Sequence, residues 1–182
     1  MSRNIEIKAK VNNSNHLRLL TEKIADTSTQ LIFQEDTFFY SPSGRLKLRI
    51  FDPNRGELIY YQRSDQVGPK ESNYMISTTT EPHSLKEVLT SAYGVRGVIR
   101  KQRELYTVGQ TRIHLDRVEG LGEFLELEFV MQIGQTDIEG IETLEDLMGK
   151  LGIERKDLIN CAYIDLLNQM PTSAHVESGQ KN

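Results

Sequence analysis

Cysteine is almost absent from this sequence, which contains Cys161 and no other. A single cysteine excludes an internal disulfide framework and any metal site built from several thiolates, and it is typical of a reducing compartment. The first residues lack the apolar core of a secretory signal, and no segment approaches the roughly 18 apolar residues that a membrane span needs. The sequence therefore predicts a cytoplasmic protein without a membrane partner.

A large excess of one charge is also absent, since 22 basic residues stand against 26 acidic ones, for a net charge of −4. The chain as a whole is not expected to bind polyanions, although net charge leaves room for a local basic cluster. Nucleic acid is not predicted as a partner, because the basic residues lie among carboxylates and no exposed aromatic platform is evident.

Alternation of polar and apolar residues dominates the first three quarters of the chain and predicts about eight strands in hairpin order. Helical spacing predicts four helices, at residues 14–25, 82–93, 137–151 and 154–170. This pattern indicates an α+β, mostly antiparallel domain that covers residues 1–170. Residues 171–182 are polar and aperiodic, and we expect them to form a disordered tail.

Two predicted strands carry charges of a single sign on one face. Arg45, Lys47 and Arg49 alternate with apolar residues on one strand, and Glu126 and Glu128 lie about 7 Å apart on another. Solvent-exposed surfaces usually mix the two signs. Two interpretations follow: these faces are solvated, or they point into a closed barrel whose apolar faces pack beneath the helices.

The second interpretation has a chemical consequence, because burying an unpaired charge costs several kcal/mol. A basic wall opposite an acidic wall implies an anionic ligand together with a divalent cation. Lysine and arginine neutralise phosphate oxygens, and carboxylates such as Asp116 and the glutamate pair bind Mg²⁺ or Mn²⁺. The chain has no P-loop motif, so side chains would hold the phosphates. His114 shares a face with Asp116, either as a structural residue or as one that orients a ligand.

Eight short motifs occur in an order that narrows this hypothesis. They occupy residues 5–8, 36–39, 44–49, 58–63, 101–103, 114–116, 121–128 and 163–167. Together they resemble the CYTH domain family, the triphosphate tunnel metalloenzymes that include class IV adenylyl cyclases and thiamine triphosphatases.

The resemblance implies an eight-stranded antiparallel β-barrel with flanking helices, which holds Mg²⁺ or Mn²⁺ and a triphosphate such as tripolyphosphate, ATP or thiamine triphosphate. By motif position, the residues implied for the metal are Glu6, Asp116, Glu126 and Glu128. Those implied for the phosphates are Lys8, Arg45, Lys47, Arg49, Arg63, Lys70, Lys101 and Arg103. Glu6 and Lys8 are also implied as catalytic residues, since a general-base role is given to the matching lysine in some members.

One position departs from the family signature Glu-x-Glu-x-Lys, because the chain has Asn4 where the first glutamate is expected. An amide cannot take up a proton and is a weaker metal ligand than a carboxylate. Our leading interpretation is metal-dependent hydrolysis of a triphosphate. The alternatives are an adenylyl cyclase that makes cyclic AMP and pyrophosphate from ATP, and a polyphosphate or nucleotide binder without turnover. The pattern is compatible with a monomer or a homodimer.

Overall fold

The strands of this protein close into a barrel, as seen in a computed structural model that describes residues 2–169. They are β1 (Ser2–Lys10), β2 (Gln30–Phe39), β3 (Arg45–Asp52), β4 (Arg55–Arg63), β5 (Lys70–Thr79), β6 (Val95–Val108), β7 (Thr111–Val118) and β8 (Gly122–Val130). Their order around the barrel is β1-β5-β4-β3-β2-β6-β7-β8, and every neighbouring pair is antiparallel.

Four helices flank the barrel: α1 (Ser14–Ile24), α2 (Pro82–Tyr93), α3 (Asp137–Leu151) and α4 (Tyr163–Gln169). The predicted α+β class, with an eight-stranded antiparallel barrel and flanking helices, is confirmed. The extent of the domain, residues 1–170, stays a prediction. The tail predicted for residues 171–182 lies outside the described residues. No helix in the described part of the chain is long and apolar enough to cross a membrane.

The alternating residues of each strand explain why the barrel closes around charge. On β1, Ile5 and Ile7 are buried in an apolar cluster with Leu144 of α3, on the outside of the wall. Glu6 and Lys8, on the opposite face of the same strand, line the interior. The charged faces therefore point inward, which decides between the two interpretations of the sequence pattern.

Local signals in the sequence set the ends of the helices. Asn13 precedes α1, and its side-chain oxygen accepts a hydrogen bond from the backbone amide of His16 (3.1 Å). The amide of Thr136, just before α3, donates to the carboxylate of Glu139 (2.8 Å), as in a capping box. Gly152 follows α3 with a φ of 68°, a backbone conformation that favours glycine. The first three predicted helices are confirmed by α1, α2 and α3.

The helix predicted for residues 154–170 is wrong over its first half. The structure has one 3₁₀ turn at Arg155–Asp157, and a helix starts again only with α4. Between them, the backbone amide of Ile159 donates to the carbonyl of Lys8 (2.9 Å). Strand β5 pairs with β1 only as far as Glu6. The remaining backbone of β1 therefore takes this segment as a partner, and that tertiary pairing prevails over local helical spacing.

Candidate functional site

The interior of the barrel holds a cavity of about 360 Å³ lined by charged residues of both signs. Seven cationic and five acidic side chains contribute to its wall, together with His114. They are the cations Lys8, Lys47, Arg49, Arg63, Lys101, Arg103 and Arg112, and the acids Glu6, Asp36, Glu57, Glu126 and Glu128. Most residues that the sequence predicts for the site are thus brought together; Arg45, Lys70 and Asp116 do not line this cavity.

His114, Glu126 and Glu128 form a compact group on one side of the wall. Pairing of β7 with β8 sets His114 opposite Glu126, and Glu128 follows on the same face. Each of the three residues offers a ligand atom within 4.8 Å of the other two. The Nδ1 atom of His114 is buried and has no hydrogen-bond partner among the described residues. The arrangement can therefore hold a metal ion through one nitrogen and two carboxylates.

The cationic neighbours of this group keep its carboxylates ionised. Burial alone would raise the pKa of Glu126, but Lys8, 3.1 Å away, and Arg103 hold it well below its usual range. The pKa of Glu128 is also lowered, because Arg112 and Arg103 outweigh the effect of burial. Burial and the nearby Arg103 lower the pKa of His114, which favours the neutral imidazole.

Glu6 lies beside the group but is already paired. Its Oε1 atom accepts a hydrogen bond from Arg63 (2.6 Å), and β1 places it opposite Glu128. Burial and the charge of Glu126 raise the pKa of Glu6 above its usual value. Glu6 is thus the carboxyl group of this wall that takes up a proton most easily. Its predicted roles as metal ligand and catalytic residue stay predictions.

Lys8 occupies the junction between the acidic wall and the end of the barrel that α4 covers. Its side chain is 4% exposed, and its Nζ atom lies 3.9 Å from the centre of the Tyr163 ring. Tyr163 and Ala162 line the cavity at this end. The cavity is therefore bounded there by the C-terminal segment.

Asp116 does not line the cavity, but it pairs with residues that do. Its carboxylate accepts two hydrogen bonds from Arg103 (2.6 and 2.7 Å), one from Lys101 (3.2 Å) and one from the Tyr163 hydroxyl (2.9 Å). Burial alone would raise the pKa of Asp116, but Arg103 and Lys101 hold it below its usual range. Burial and Arg103 in turn lower the pKa of Lys101 to about 7. The predicted metal-binding role of Asp116 stays a prediction.

Asp36 aligns two of the predicted phosphate-binding residues on the opposite wall. It accepts hydrogen bonds from the Lys47 ammonium (3.0 Å) and from the Arg49 guanidinium (2.8 and 3.0 Å). Burial opposes ionisation of Asp36, but Arg49 and Lys47 hold its pKa well below its usual range. The two cations are therefore fixed in place before any phosphate binds.

Arg45 and Lys70 make contacts outside the cavity wall. Arg45 pairs with Asp65 (2.8 Å) and with Asp165 of α4 (3.0 Å). Lys70 donates to the backbone carbonyl of Gln66 (3.1 Å) and, at longer range, to a carbonyl in the C-terminal segment (3.4 Å). These contacts connect strand ends to a loop and to the C-terminal segment. A role for either residue in binding phosphate stays a prediction.

Arg112 and Tyr163 line the cavity but were not assigned to the site from the sequence. Arg112 lies 2.9 Å from Glu128 and shares the face of His114, so its position two residues before His114 was a usable signal. Tyr163 was part of a recognised motif, but helical spacing does not show that its ring reaches Lys8. The cavity wall also includes the apolar residues Phe51, Ile76 and Leu105.

Known proteins of similar sequence and fold were found for this chain. The family description that matches residues 2–163 is that of the CYTH domain. A Methanocaldococcus jannaschii protein named "Putative adenylate cyclase" is 29% identical over 177 residues, which cover 89% of this chain and 97% of that protein.

Solved structures of similar fold include the PH1012 protein of Pyrococcus horikoshii OT3 (TM-score 0.80, 26% identity, covering 91% of this chain and 99% of that one). Another is HpAC1 from Hippeastrum, described as a "putative adenylyl cyclase" with a dominant triphosphatase activity. It has a TM-score of 0.64 at 16% identity and covers 92% of this chain and 95% of its own. At that identity the likeness shows the fold alone. With its closed, charge-lined barrel and a family match over nearly its whole length, this chain belongs to the CYTH domain family.

Proposed function

We propose that this protein is a divalent-metal-dependent enzyme that hydrolyses a triphosphate held inside the barrel. The observation that carries the proposal is the cavity wall, which combines seven cations with a compact His114–Glu126–Glu128 group. A family with triphosphatases and adenylyl cyclases among its members supports an enzymatic role.

The balance of charge in the cavity favours an anionic substrate. Seven cations and five acids line this confined space, and one positive charge remains in excess even when Asp116, behind the wall, is counted. Such an excess is costly unless an anion compensates it. A bound divalent cation would increase the excess further, and a chain of phosphates supplies negative charge along the whole cavity.

The residues present fit a divalent ion. His114, Glu126 and Glu128 would hold it, because an unpartnered ring nitrogen and two ionised carboxylates converge there. Glu6 and Asp116 remain predicted as further ligands. Mg²⁺ or Mn²⁺ at this place would neutralise charge on phosphate oxygens during reaction.

The cationic wall performs the other part of the proposed catalysis. Lys47, Arg49 and Arg63 would grip phosphate oxygens from one side, and Lys101 and Arg103 from the other. Their positions are set in advance by buried carboxylates, so little reorganisation is needed as charge spreads over the transferred phosphoryl group. Positioning and electrostatics therefore supply most of the proposed rate acceleration.

Glu6 and Lys8 are the residues proposed to handle the attacking water. They lie two residues apart on the inner face of β1, and both line the cavity. The raised pKa of Glu6 suits a group that accepts a proton during catalysis. Asn4, 3% exposed on the same face, supplies an amide where the family signature has a carboxylate.

A substrate panel tests the proposal. Tripolyphosphate, ATP and thiamine triphosphate are each incubated with Mg²⁺ and with Mn²⁺, and orthophosphate, pyrophosphate and cyclic AMP are measured. We expect metal-dependent release of orthophosphate without cyclic AMP, and its loss in Glu126→Gln. Tight tripolyphosphate binding without turnover of any substrate would overturn the proposal in favour of a non-catalytic binder.

Adenylyl cyclase activity is the second candidate, because the 29% identical relative is named for it. In that reaction the ribose 3′-hydroxyl of ATP attacks the α-phosphorus, and pyrophosphate leaves. The same panel distinguishes the two, since a cyclase yields cyclic AMP and pyrophosphate in equal amounts from ATP. It would leave tripolyphosphate intact.

A further inference from the structure

The candidate metal site is not made of oxygen ligands alone. The His114 ring lies between the two carboxylates, with Nδ1 3.8 Å from Glu126 and Nε2 3.9 Å from Glu128. Its side chain is 4% exposed, and the ring lines the cavity as part of the barrel wall. The imidazole is therefore part of the group that converges on the site.

Both ring nitrogens lie too far from the carboxylates for hydrogen bonds. Nδ1 is buried without any partner among residues 2–169. Leaving a buried polar atom unpaired is unfavourable, so such an atom requires an explanation. A cation between His114, Glu126 and Glu128 explains it, because the ion would give the imidazole a partner.

The surrounding cations hold the two carboxylates in place. Lys8 and Arg103 contact the same Oε2 atom of Glu126, at 3.1 and 2.8 Å, and Arg112 contacts Oε2 of Glu128 at 2.9 Å. Partners of this kind fix the orientation of metal-binding groups. The two carboxylates beside the imidazole are thus fixed.

Nitrogen and oxygen ligands favour different ions. Mg²⁺ requires oxygen ligands and keeps several of its waters, whereas imidazole suits first-row transition metals. We propose that His114 coordinates the metal and makes this site prefer Mn²⁺ and later transition-metal ions to Mg²⁺. The inference rests on the metal site of the proposed function.

Spectroscopy on bound Mn²⁺ tests this without measuring turnover. The full chain is titrated with Mn²⁺, the free ion is followed by electron paramagnetic resonance, and Mg²⁺ is used as competitor. Pulsed measurements on the bound ion then report any directly coordinated ¹⁴N. We expect ¹⁴N modulation in the unaltered chain and a preference for Mn²⁺ over Mg²⁺.

Matched variants show which histidine is responsible. His114→Asp offers an all-oxygen site, and we expect it to lose the ¹⁴N modulation and to lower the preference for Mn²⁺ over Mg²⁺ by roughly tenfold or more. His114→Gln serves as a second variant if His114→Asp does not fold, as judged by circular dichroism. His83→Gln alters an exposed histidine of α2 and should retain both properties.

The outcomes separate this inference from the proposed function. Bound Mn²⁺ without ¹⁴N modulation, or equal selectivity in the unaltered chain and His114→Asp, would overturn the inference alone. Failure of Mn²⁺ to bind at all would overturn the inference and the metal site together. Nitrogen-coordinated Mn²⁺ in a protein that turns over no triphosphate would sustain the inference and reject the proposed hydrolysis.

Discussion

Lys47 and Lys70 have the same side chain but occupy different environments. The ammonium of Lys47 lies on the cavity wall beside Asp36, whereas that of Lys70 binds backbone carbonyls outside the cavity. A lysine that contacts phosphate contributes charge-assisted hydrogen bonds to affinity. A lysine that connects strand to loop contributes to local stability instead.

Replacing each lysine by methionine separates these roles. We expect Lys47→Met to weaken tripolyphosphate binding by about tenfold or more, because a hydrogen bond to a charged group contributes roughly 1.5–3 kcal/mol. We expect Lys70→Met to change the affinity by less than about threefold. Isothermal titration calorimetry on the folded variants provides the comparison. A loss in Lys70→Met as large as that in Lys47→Met would establish Lys70 as a phosphate-binding residue after all.

The β7–β8 hairpin could be predicted from the local sequence alone. Strict alternation along each strand identifies the two faces, and the tight turn has glycine at positions 120 and 122, with φ values of 75° and 99°. Pairing across the turn then brings His114 and Glu126 together. Local sequence was sufficient here because both strands and their connection lie within about twenty residues.

The structure of the segment before α4 could not be predicted from the local sequence. Residues 154–162 have helical spacing, yet the amide of Ile159 donates to the carbonyl of Lys8, about 150 positions away in the chain. No local pattern encodes such a partner. That stretch of β1 is free because the β1–β5 pairing ends at Glu6, and this register depends on the closed barrel.

Helix α3 packs so closely on the barrel that one of its glycines is required. A Cβ atom at Gly140 would lie 2.8 Å from Cγ1 of Ile5 and 3.1 Å from the ring of Phe129. Both of these neighbours are buried, at 2% and 5% exposure, and cannot move aside freely. Gly149 lies in the same helix with no atom within 4 Å of such a Cβ.

The two glycines should therefore respond in opposite ways to alanine. We expect Gly140→Ala to lower the free energy of unfolding by about 1–3 kcal/mol through overpacking. Gly149→Ala should raise it by up to about 1 kcal/mol, since alanine favours the helix. Urea unfolding measures both. A Gly140→Ala protein as stable as Gly149→Ala would show that α3 does not press on the barrel as described.

At the scale of the whole molecule, the barrel is built around ionised carboxylates. Asp36 is 3% exposed, and its pKa is held well below its usual range by Arg49 and Lys47 despite burial. A carboxyl whose pKa is lower in the folded than in the unfolded chain stabilises the fold above the unfolded value of about 4. That stabilisation is lost as the pH falls from about 4 through the folded pKa.

The free energy of unfolding of Asp36→Asn should change less between pH 6 and pH 3 than that of the unaltered chain. At pH 6 we expect the variant to be about 2–3 kcal/mol less stable, because Lys47 and Arg49 lose a charged partner. At pH 3 the difference should shrink, since Asp36 contributes less there. Urea unfolding at both values measures it, with Asp52→Asn, at an exposed turn, as the control. A difference that is constant from pH 6 to pH 3 would contradict the argument.

The sequence by itself determined the strands, their two faces and the kind of chemistry those faces carry. A side-chain period of two residues is a local property, so Lys47 and Glu126 could be assigned to charged faces without any knowledge of their partners. The ordered motifs added the family and the eight-stranded barrel.

Only the tertiary structure decided which charged residues reach the cavity. Arg45 shares a strand face with Lys47, but it lies at the strand end, where Asp65 and Asp165 pair with it. Asp116 shares a face with His114, but its carboxylate accepts hydrogen bonds from Arg103 and neighbouring residues. His114 is the residue whose ring nitrogens lie close to the two glutamates. Alternation defines the face of a residue. Its depth along the barrel and its partners depend on closure and on the C-terminal segment that covers one end.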